Sequence, residues 1–178
     1  MNGFTSLTNE VSVATGGVVR VRATDCVDLV ERGKASKRKR ARLCAHPESA
    51  DPLHEMLICL ARGTYVRPHR HPGKSESFHI IEGVLDVVLF ADDGTIREVI
   101  QMGPYHTGGV FYYRLIHACF HTVLVNTQHV LFHETTNGPF DPADTEFAPW
   151  APEEGEESVA SYLTTLRLLL RQNAGACV

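Results

Sequence analysis

The most informative stretch of this chain reads His69-Arg70-His71-Pro72-Gly73-Lys74-Ser75-Glu76. Side chains alternate between the two faces of a β-strand, so an extended backbone would present the imidazoles of His69 and His71 on one face. Pro72-Gly73 is typical of a turn, which would let the next strand bring the Glu76 carboxylate back beside them. Two imidazoles and a carboxylate form a mixed nitrogen and oxygen set that suits first-row divalent metals. The stretch therefore predicts where a metal site lies, but it does not identify a reaction.

The composition of the whole chain argues against two classes of function. Its 178 residues are the length of a single domain with a sizeable core. The net charge of −4 argues against a nucleic-acid-binding protein. The sequence contains no apolar run of the roughly 18 residues that a membrane-spanning helix needs, and its first ten residues do not resemble a signal peptide. We therefore expect neither a nucleic-acid partner nor a membrane partner.

The cysteines do not form a ligand or redox motif. Their number is odd and the sequence has no Cys-x-x-Cys pair, which argues against a thiolate zinc site and against a catalytic disulfide. We interpret them as reduced thiols, and this interpretation predicts a cytoplasmic location. The five cysteines are Cys26, Cys44, Cys59, Cys119 and Cys177.

The pattern along the chain is mostly that of a β-protein. Thr24 is a candidate N-cap for a short helix that ends near Gly33. From about residue 53 to about residue 138, short apolar segments alternate with turn signals, of which Asp92-Asp93-Gly94 is a good hairpin turn. Short strands at close spacing predict an antiparallel sandwich or barrel.

The C-terminal part of the chain predicts a second helix over about residues 158–172. Its apolar residues recur at helical spacing, and acidic residues precede it while Arg167 and Arg171 lie near its end, as the helix dipole favours. We expect this helix to pack on the β-structure or on a second subunit through its apolar face. The apolar residues are Val159, Tyr162, Leu163, Leu166, Leu169 and Leu170.

The metal-binding stretch resembles the first sequence motif of the cupin superfamily. Five residues separate Gly63 from His69, four separate His71 from Glu76, and six separate Glu76 from Gly83, so every fixed position of the motif is present. The resemblance implies a mostly β fold, a single RmlC-like jelly-roll antiparallel barrel, with a metal held inside by three histidines and one glutamate. It also implies that the barrel core spans about residues 53–138.

Within this superfamily the chain is most similar to the WbuC-type cupin metalloproteins, which are associated with O-antigen and surface-polysaccharide gene clusters. The likeness leaves residues 1–23 as an N-terminal extension and places residues 24–178 in the cupin domain. It also suggests a homodimer. The stretches that carry the likeness are residues 38–42, His46, Asp51-Pro52, residues 65–71, residues 74–78, Leu89-Phe90, Asp93-Gly94 and residues 150–154.

The fourth metal ligand of cupins lies in a second motif, from which this sequence departs. The usual Pro-x-Gly before the histidine is absent, and both His117 and His121 are candidates. They are four residues apart, so on one regular strand both would face the same side. His121 heads an apolar run that resembles the start of the family's strand, so we favour His121, with His117 as the alternative.

An anionic ligand is expected above the metal. Tyr65 and Arg67 share strand parity with His69, and Arg38 and Arg40 alternate along the chain, so their side chains would line an electropositive mouth with Lys74 nearby. Arginine forks suit carboxylate and phosphate groups. The alternative interpretation is that residues 34–42 form a solvated basic loop.

The sequence leaves several functions open. The first is a metal-dependent enzyme of isomerase or dioxygenase type that acts on a small anionic molecule such as a sugar derivative. The second is a non-catalytic cupin that binds or senses a small ligand, and a third, an iron-dependent dioxygenase, would follow if the metal is iron. A metal-free sugar epimerase is a weaker hypothesis, because such an enzyme does not use the complete set of metal ligands that this sequence contains. One divalent ion is expected, but the ligands do not decide among Fe, Mn, Ni and Zn.

Overall fold

The computed structural model describes residues 3–175, with side chains described to residue 172, and contains two β-sheets and two α-helices. The helices are α1 (Ala23–Ala35) and α2 (Val159–Gly175), and short 3₁₀ turns lie at Tyr105–Thr107 and Pro142–Asp144. The strands are β1 (Phe4–Ser6), β2 (Val11–Ala14), β3 (Arg40–Cys44), β4 (Leu53–Ala61), β5 (His69–Arg70), β6 (Glu76–Glu82), β7 (Leu85–Phe90), β8 (Ile96–Met102), β9 (Tyr112–Leu115), β10 (Phe120–Val125), β11 (His129–Asn137) and β12 (Glu146–Phe147).

The strands form one seven-stranded and one five-stranded sheet. The first has the order β1-β2-β3-β4-β11-β6-β9 and the second the order β12-β5-β10-β7-β8. Neighbouring strands are antiparallel except for the parallel pair β2 and β3. The two sheets belong to a mostly β protein with an N-terminal and a C-terminal helix, as the sequence predicts. The pattern is consistent with a β-sandwich, and closure into one barrel stays a prediction.

The main core lies between the two sheets. Alternate residues of each strand point inward, so β-branched, aromatic and other apolar side chains from both sheets pack in one layer. The buried members of this layer are Leu60, Phe78, Ile80, Leu85, Val87, Met102, Tyr113, Val123, Val125, Val130 and Phe132. The polar site described below lies on the same inner face, beside this layer.

Helix α1 covers the outer face of the seven-stranded sheet. Leu29 and Val30 pack against Leu43 and Leu131 in a second buried cluster. A Cβ atom on Gly33 would lie 2.9 Å from the Cys59 sulfur, so the glycine allows close contact between helix and sheet. The helix begins two residues earlier than expected, with Arg22 rather than Thr24 at the N-cap position, and the Asp25 carboxylate accepts a hydrogen bond from the Arg22 backbone N–H at 2.8 Å.

Helix α2 covers the outer face of the five-stranded sheet, which confirms the prediction of a C-terminal helix. Leu166 is buried in a cluster with Val88, Phe90, Phe120 and Leu124. The helix therefore packs on its own chain through Tyr162, Leu163, Leu166 and Leu170, whereas Leu169 of the predicted apolar face is exposed.

Replacing Leu166 by alanine is expected to lower the free energy of unfolding by about 2 kcal/mol, because the change removes buried methyl groups and leaves a cavity. The measurement is urea denaturation followed by circular dichroism. Leu168→Ala is the matched control, since Leu168 is 52% exposed whereas Leu166 is 4% exposed. Equal effects of the two substitutions would contradict the packing described for α2.

The N-terminal residues contribute two strands to the larger sheet. The strands β1 and β2 continue the seven-stranded sheet, and Val11, Ser12 and Val13 pair with β3. The β-branched run Val18-Val19-Arg20-Val21 lies outside the assigned strands and its valines are exposed. Pairing between residues about 30 positions apart decides which N-terminal segments become strands, and local β-propensity does not reveal such pairing. The boundary at residue 24 stays a prediction.

Among the residues described, the structure contains no helix with the length and apolarity that crossing a membrane requires.

Candidate metal centre

Three histidines meet between the two sheets. His69 in β5 pairs directly with His121 in β10, and His71 is the residue immediately after β5. Each histidine contributes one ring nitrogen, and these three nitrogens all lie within 4.8 Å of one another. The ring centroid of His69 is 4.8 Å from that of His71 and 4.5 Å from that of His121. Pairing of two strands therefore brings together residues that are about fifty positions apart.

A buried carboxylate completes the cluster. Glu76 is the first residue of β6 and is 5% exposed. Its Oε1 atom lies 2.9 Å from Nε2 of His121, and its Oε2 atom lies 3.9 Å from Nε2 of His71. The Tyr113 hydroxyl donates a longer hydrogen bond of 3.4 Å to Oε1. The turn after His71 thus returns the carboxylate to the imidazoles, as the sequence indicates.

Backbone carbonyls orient two of the three imidazoles. Nδ1 of His69 lies 2.8 Å from the carbonyl oxygen of Arg67, and Nδ1 of His121 lies 2.9 Å from that of Cys119. A carbonyl oxygen only accepts hydrogen bonds, so in both rings Nδ1 carries the proton and Nε2 is the atom that faces the cluster. Such support of the second ring nitrogen is typical of histidines that bind metals.

The electrostatic environment keeps two imidazoles neutral and the carboxylate ionised. Burial lowers the pKa of His69 to about 3, and burial also lowers the pKa of His71. Burial opposes ionisation of Glu76, but the nearby His121 outweighs it and lowers the pKa of Glu76. For His121 burial again acts against the charged form, and the Glu76 carboxylate more than offsets it, raising the pKa. Neutral imidazoles and an ionised carboxylate are the forms in which these groups bind metal ions.

His117, the alternative fourth ligand, lies apart from the cluster. It is exposed and belongs to the segment between β9 and β10. His121 is 2% exposed and faces inward beside His69 and Glu76. The structure therefore brings His121 to the other three residues, as favoured from the sequence. Its role as a metal ligand stays a prediction.

The arginines expected at the mouth already have carboxylate partners. The Arg38 guanidinium donates to both oxygens of Glu154 at 2.9 and 2.8 Å, and Arg40 donates to the same carboxylate at 2.8 and 2.7 Å. Parity along residues 38–42 did not reveal this partner, because Glu154 lies more than a hundred residues away. Arg38 and Arg40 therefore share one carboxylate, and anion binding by either arginine stays a prediction.

Arg67 is held less tightly than the two preceding arginines. Its guanidinium lies 3.5 Å from Glu153 and 3.4 Å from the carbonyl oxygen of Ala148, while its buried Nε has no partner. It also lies over the Phe147 ring, 5.1 Å from the centroid, and Phe147 pairs with His69. Arg67 therefore lies near the cluster, and ligand binding by Arg67 stays a prediction.

Tyr65 and Lys74 also have partners within the chain. The Tyr65 hydroxyl donates to the carbonyl oxygen of Pro152 at 2.8 Å. The Lys74 ammonium pairs with Asp144 at 2.7 Å and donates to the carbonyl oxygen of Pro139 at 2.6 Å. Both side chains link segments of the fold, and ligand binding by either one stays a prediction.

The sequence interpretation missed a second carboxyl group on the inner face. Glu134 in β11 pairs with Phe78, whose buried side chain belongs to the main core. Burial and the nearby Glu76 charge raise the pKa of Glu134 to about 8. Alternation along β11 contained the signal, because Glu134 continues the inward series of Val130 and Phe132.

The donor set fits a divalent metal ion. Three imidazole nitrogens and one carboxylate oxygen from His69, His71, His121 and Glu76 suit Fe, Mn, Ni or Zn. An ion there would replace the proton shared between His121 and Glu76, since both groups bind metals in their deprotonated forms. When bound, it would supply Lewis-acid or redox chemistry at positions that the protein leaves open.

A family model and solved structures give the relationships of this chain. A model described as a domain of unknown function (DUF6016) matches residues 21–102, less than half of the chain. No curated protein matches. The capsular polysaccharide assembling protein CapF from Staphylococcus aureus has a TM-score of 0.50 at 16% identity, and the match covers 64% of this chain and 32% of that chain.

Two further solved structures are similar at lower TM-scores. A protein from Shewanella oneidensis has a TM-score of 0.47 at 17% identity, with 56% of this chain and 63% of that chain covered. An oxalate oxidase in complex with the substrate analogue glycolate has a TM-score of 0.49 at 14% identity, with 65% of this chain and 58% of that chain covered. The present chain thus spans less than two thirds of each of the three chains. Such identities bear on the fold alone. The CapF match supports a fold of the cupin β-sandwich type for this chain.

Proposed function

We propose that this protein is a cupin metalloprotein that binds one divalent ion through His69, His71, Glu76 and His121. The observation that carries the proposal is the convergence of three imidazoles and a buried carboxylate, with two imidazoles oriented by backbone carbonyls. Burying a carboxylate and several imidazoles costs desolvation free energy, and a bound metal ion would offset part of that cost.

We further propose that the metal centre binds or acts on a small anionic molecule, such as a sugar derivative in surface polysaccharide biosynthesis. The resemblance of residues 65–71 and 74–78 to WbuC-type cupins supports the pathway. Arg67 supports the proposal that the ligand is anionic. Its guanidinium lies over the ring of Phe147, the strand partner of His69, and forms only long hydrogen bonds. Isomerase and dioxygenase chemistry and non-catalytic binding all fit this site.

A cytoplasmic location and a homodimer complete the proposal. The described cysteines Cys26, Cys44, Cys59 and Cys119 are all free thiols, as expected in a reducing compartment. The dimer rests on the family resemblance alone, and sedimentation analysis of the purified protein tests it.

Metal analysis of the purified protein tests the proposed function. We expect one first-row divalent ion per chain by elemental analysis, and we expect metal-free protein to gain thermal stability on addition of that ion, because a ligand that binds only the folded state stabilises it. Iron would favour oxygen chemistry, whereas zinc or manganese would favour Lewis-acid chemistry. Protein that carries no ion and whose unfolding temperature responds to none of Fe, Mn, Ni and Zn would contradict the proposal.

A further inference from the structure

Two charged side chains of the inner face lack partners beside the metal centre. Arg42 pairs with Ile58 in β4, which pairs with Phe132 in β11, and Glu134 lies two residues beyond Phe132 on the same face. The guanidinium of Arg42 and the carboxyl group of Glu134 form no hydrogen bond or ion pair with another described residue. Both contrast with Arg38 and Arg40, which Glu154 holds.

The position of Glu134 connects it to the metal centre. In the pairing of β11 with β6, Thr136 lies opposite Glu76 and Glu134 lies opposite Phe78. Glu134 is therefore the diagonal neighbour of Glu76 on the inner face, within reach of a long side chain. The charges of Glu76 and of His121 both act on the Glu134 carboxyl group. Its carboxyl group consequently faces the same space as the histidine cluster.

Arg42 lies on a solvent-exposed part of the same face. Arg42 is exposed although its neighbours Ala41 and Leu43 are buried, so the inner face is open at β3. One strand, β4, lies between β3 and β11, and Glu134 is two residues further along its strand, which puts the two backbones roughly 12 Å apart. The Arg42 charge acts on Glu134, yet no ion pair joins the two described side chains.

We infer that Arg42 and Glu134 form the ligand-recognition wall of the metal centre, and that the ligand is a small anion that also carries hydroxyl groups. The guanidinium would bind the anionic group, as arginine forks bind carboxylates and phosphates. A carboxyl group hydrogen-bonds a hydroxyl in either of its protonation states. The inference rests on the proposed metal function, because it assigns residues and a ligand class to that same site.

Matched probes separate the requirement for an anionic group from the requirement for hydroxyl groups. Gluconate carries a carboxylate and hydroxyl groups, hexanoate carries the carboxylate on a chain of the same length without hydroxyls, and sorbitol carries the hydroxyls without charge. Glucose 1-phosphate and inorganic phosphate form the second arm, which distinguishes a phosphate ligand from a carboxylate ligand. Isothermal titration of each probe into the metal-loaded protein gives the dissociation constants.

We expect gluconate to bind at least about tenfold more tightly than hexanoate, or glucose 1-phosphate to bind at least about tenfold more tightly than inorganic phosphate. The reason is that a ligand without hydroxyl groups would leave a polar group of the binding site without a hydrogen-bond partner. Sorbitol should not bind measurably. Arg42→Ala should weaken the preferred probe at least about tenfold. Glu134→Leu should reduce that probe to the affinity of its hydroxyl-free counterpart. If Glu134→Leu does not fold, Arg42→Ala carries the test, because the exposed Arg42 side chain contacts no described hydrogen-bond partner.

Arg114→Ala and Glu55→Gln are the controls. Arg114 lies on the outer face of the same sheet, beside Ser77, and Glu55 lies on the outer face of β4. Neither should change the affinity. The inference is overturned if no probe binds the wild type while the metal remains bound, or if both site variants bind the preferred probe as the wild type does. Loss of the metal itself, measured by elemental analysis of the same samples, would instead contradict the proposed function.

Discussion

Replacing His121 by alanine is expected to reduce the bound metal from one ion per chain to a small fraction. The substitution removes one of the four proposed ligands, and removal of even an outer partner of a metal ligand weakens affinity by about 10–100-fold. It also leaves the buried Glu76 carboxylate without the imidazole that lies 2.9 Å away, so we expect an additional loss of roughly 3 kcal/mol of stability in the metal-free protein. Elemental analysis after dialysis measures the first effect, and urea denaturation measures the second.

His117→Ala is the matched control for this experiment. The two histidines are four residues apart, but His117 is exposed whereas His121 is buried. The control should retain the metal and the stability of the wild type. Retention of the full metal content by His121→Ala, together with its loss in His117→Ala, would reverse the assignment of the fourth ligand.

Replacing Gly83 by alanine is expected to destabilise the protein by about 4 kcal/mol or to prevent folding. The residue has a φ angle of +83°, where a Cβ atom is strained by about 1–2 kcal/mol. A Cβ atom there would also collide with the His129 carbonyl oxygen and would lie 2.8 Å from the Thr127 hydroxyl oxygen. Because backbone cannot move aside as a flexible side chain can, the collision adds to the strain. Thermal denaturation by calorimetry is the measurement.

Gly63→Ala separates strain from collision. Gly63 has a φ angle of +89°, but an added Cβ would have no neighbour within 4 Å. We expect this variant to lose only about 1–2 kcal/mol, which is the strain alone. The two glycines stand at the two ends of the same sequence motif, so the comparison shows what the motif requires at each position. A Gly83→Ala variant as stable as Gly63→Ala would contradict the described packing between residue 83 and β11.

The sequence predicted the first part of the metal centre because its residues are close together in the chain. Strand alternation places His69 and His71 together, and the Pro72-Gly73 turn returns Glu76 to them. The fourth residue was harder to predict, because it depends on the pairing of β10 with β5. Both His117 and His121 have the parity of one strand, but the strand begins only at Phe120 and leaves His117 outside. The alternation of side chains tells which face of the sheet a residue lies on only if that residue is part of the strand.

The surroundings of the centre could not be predicted from local pattern for a related reason. The alternation of Arg38 and Arg40 indicated a common face, and the structure gives them a common partner, Glu154. Whether a charged side chain is available to a ligand depends on such distant partners, which periodicity does not contain. Arg42 has the same alternation but no side-chain partner among the residues that the structure describes, so the availability of an arginine here could be learned only from the fold.

The most direct test of the four-residue metal centre is a crystal structure of the zinc-loaded protein with diffraction data collected at the zinc absorption edge. We predict one anomalous peak per chain, with the Nε2 atoms of His69, His71 and His121 and one oxygen of Glu76 at about 2.0–2.2 Å from the ion. A peak at another group of residues, or a zinc-saturated crystal with no peak among these four side chains, would contradict the account.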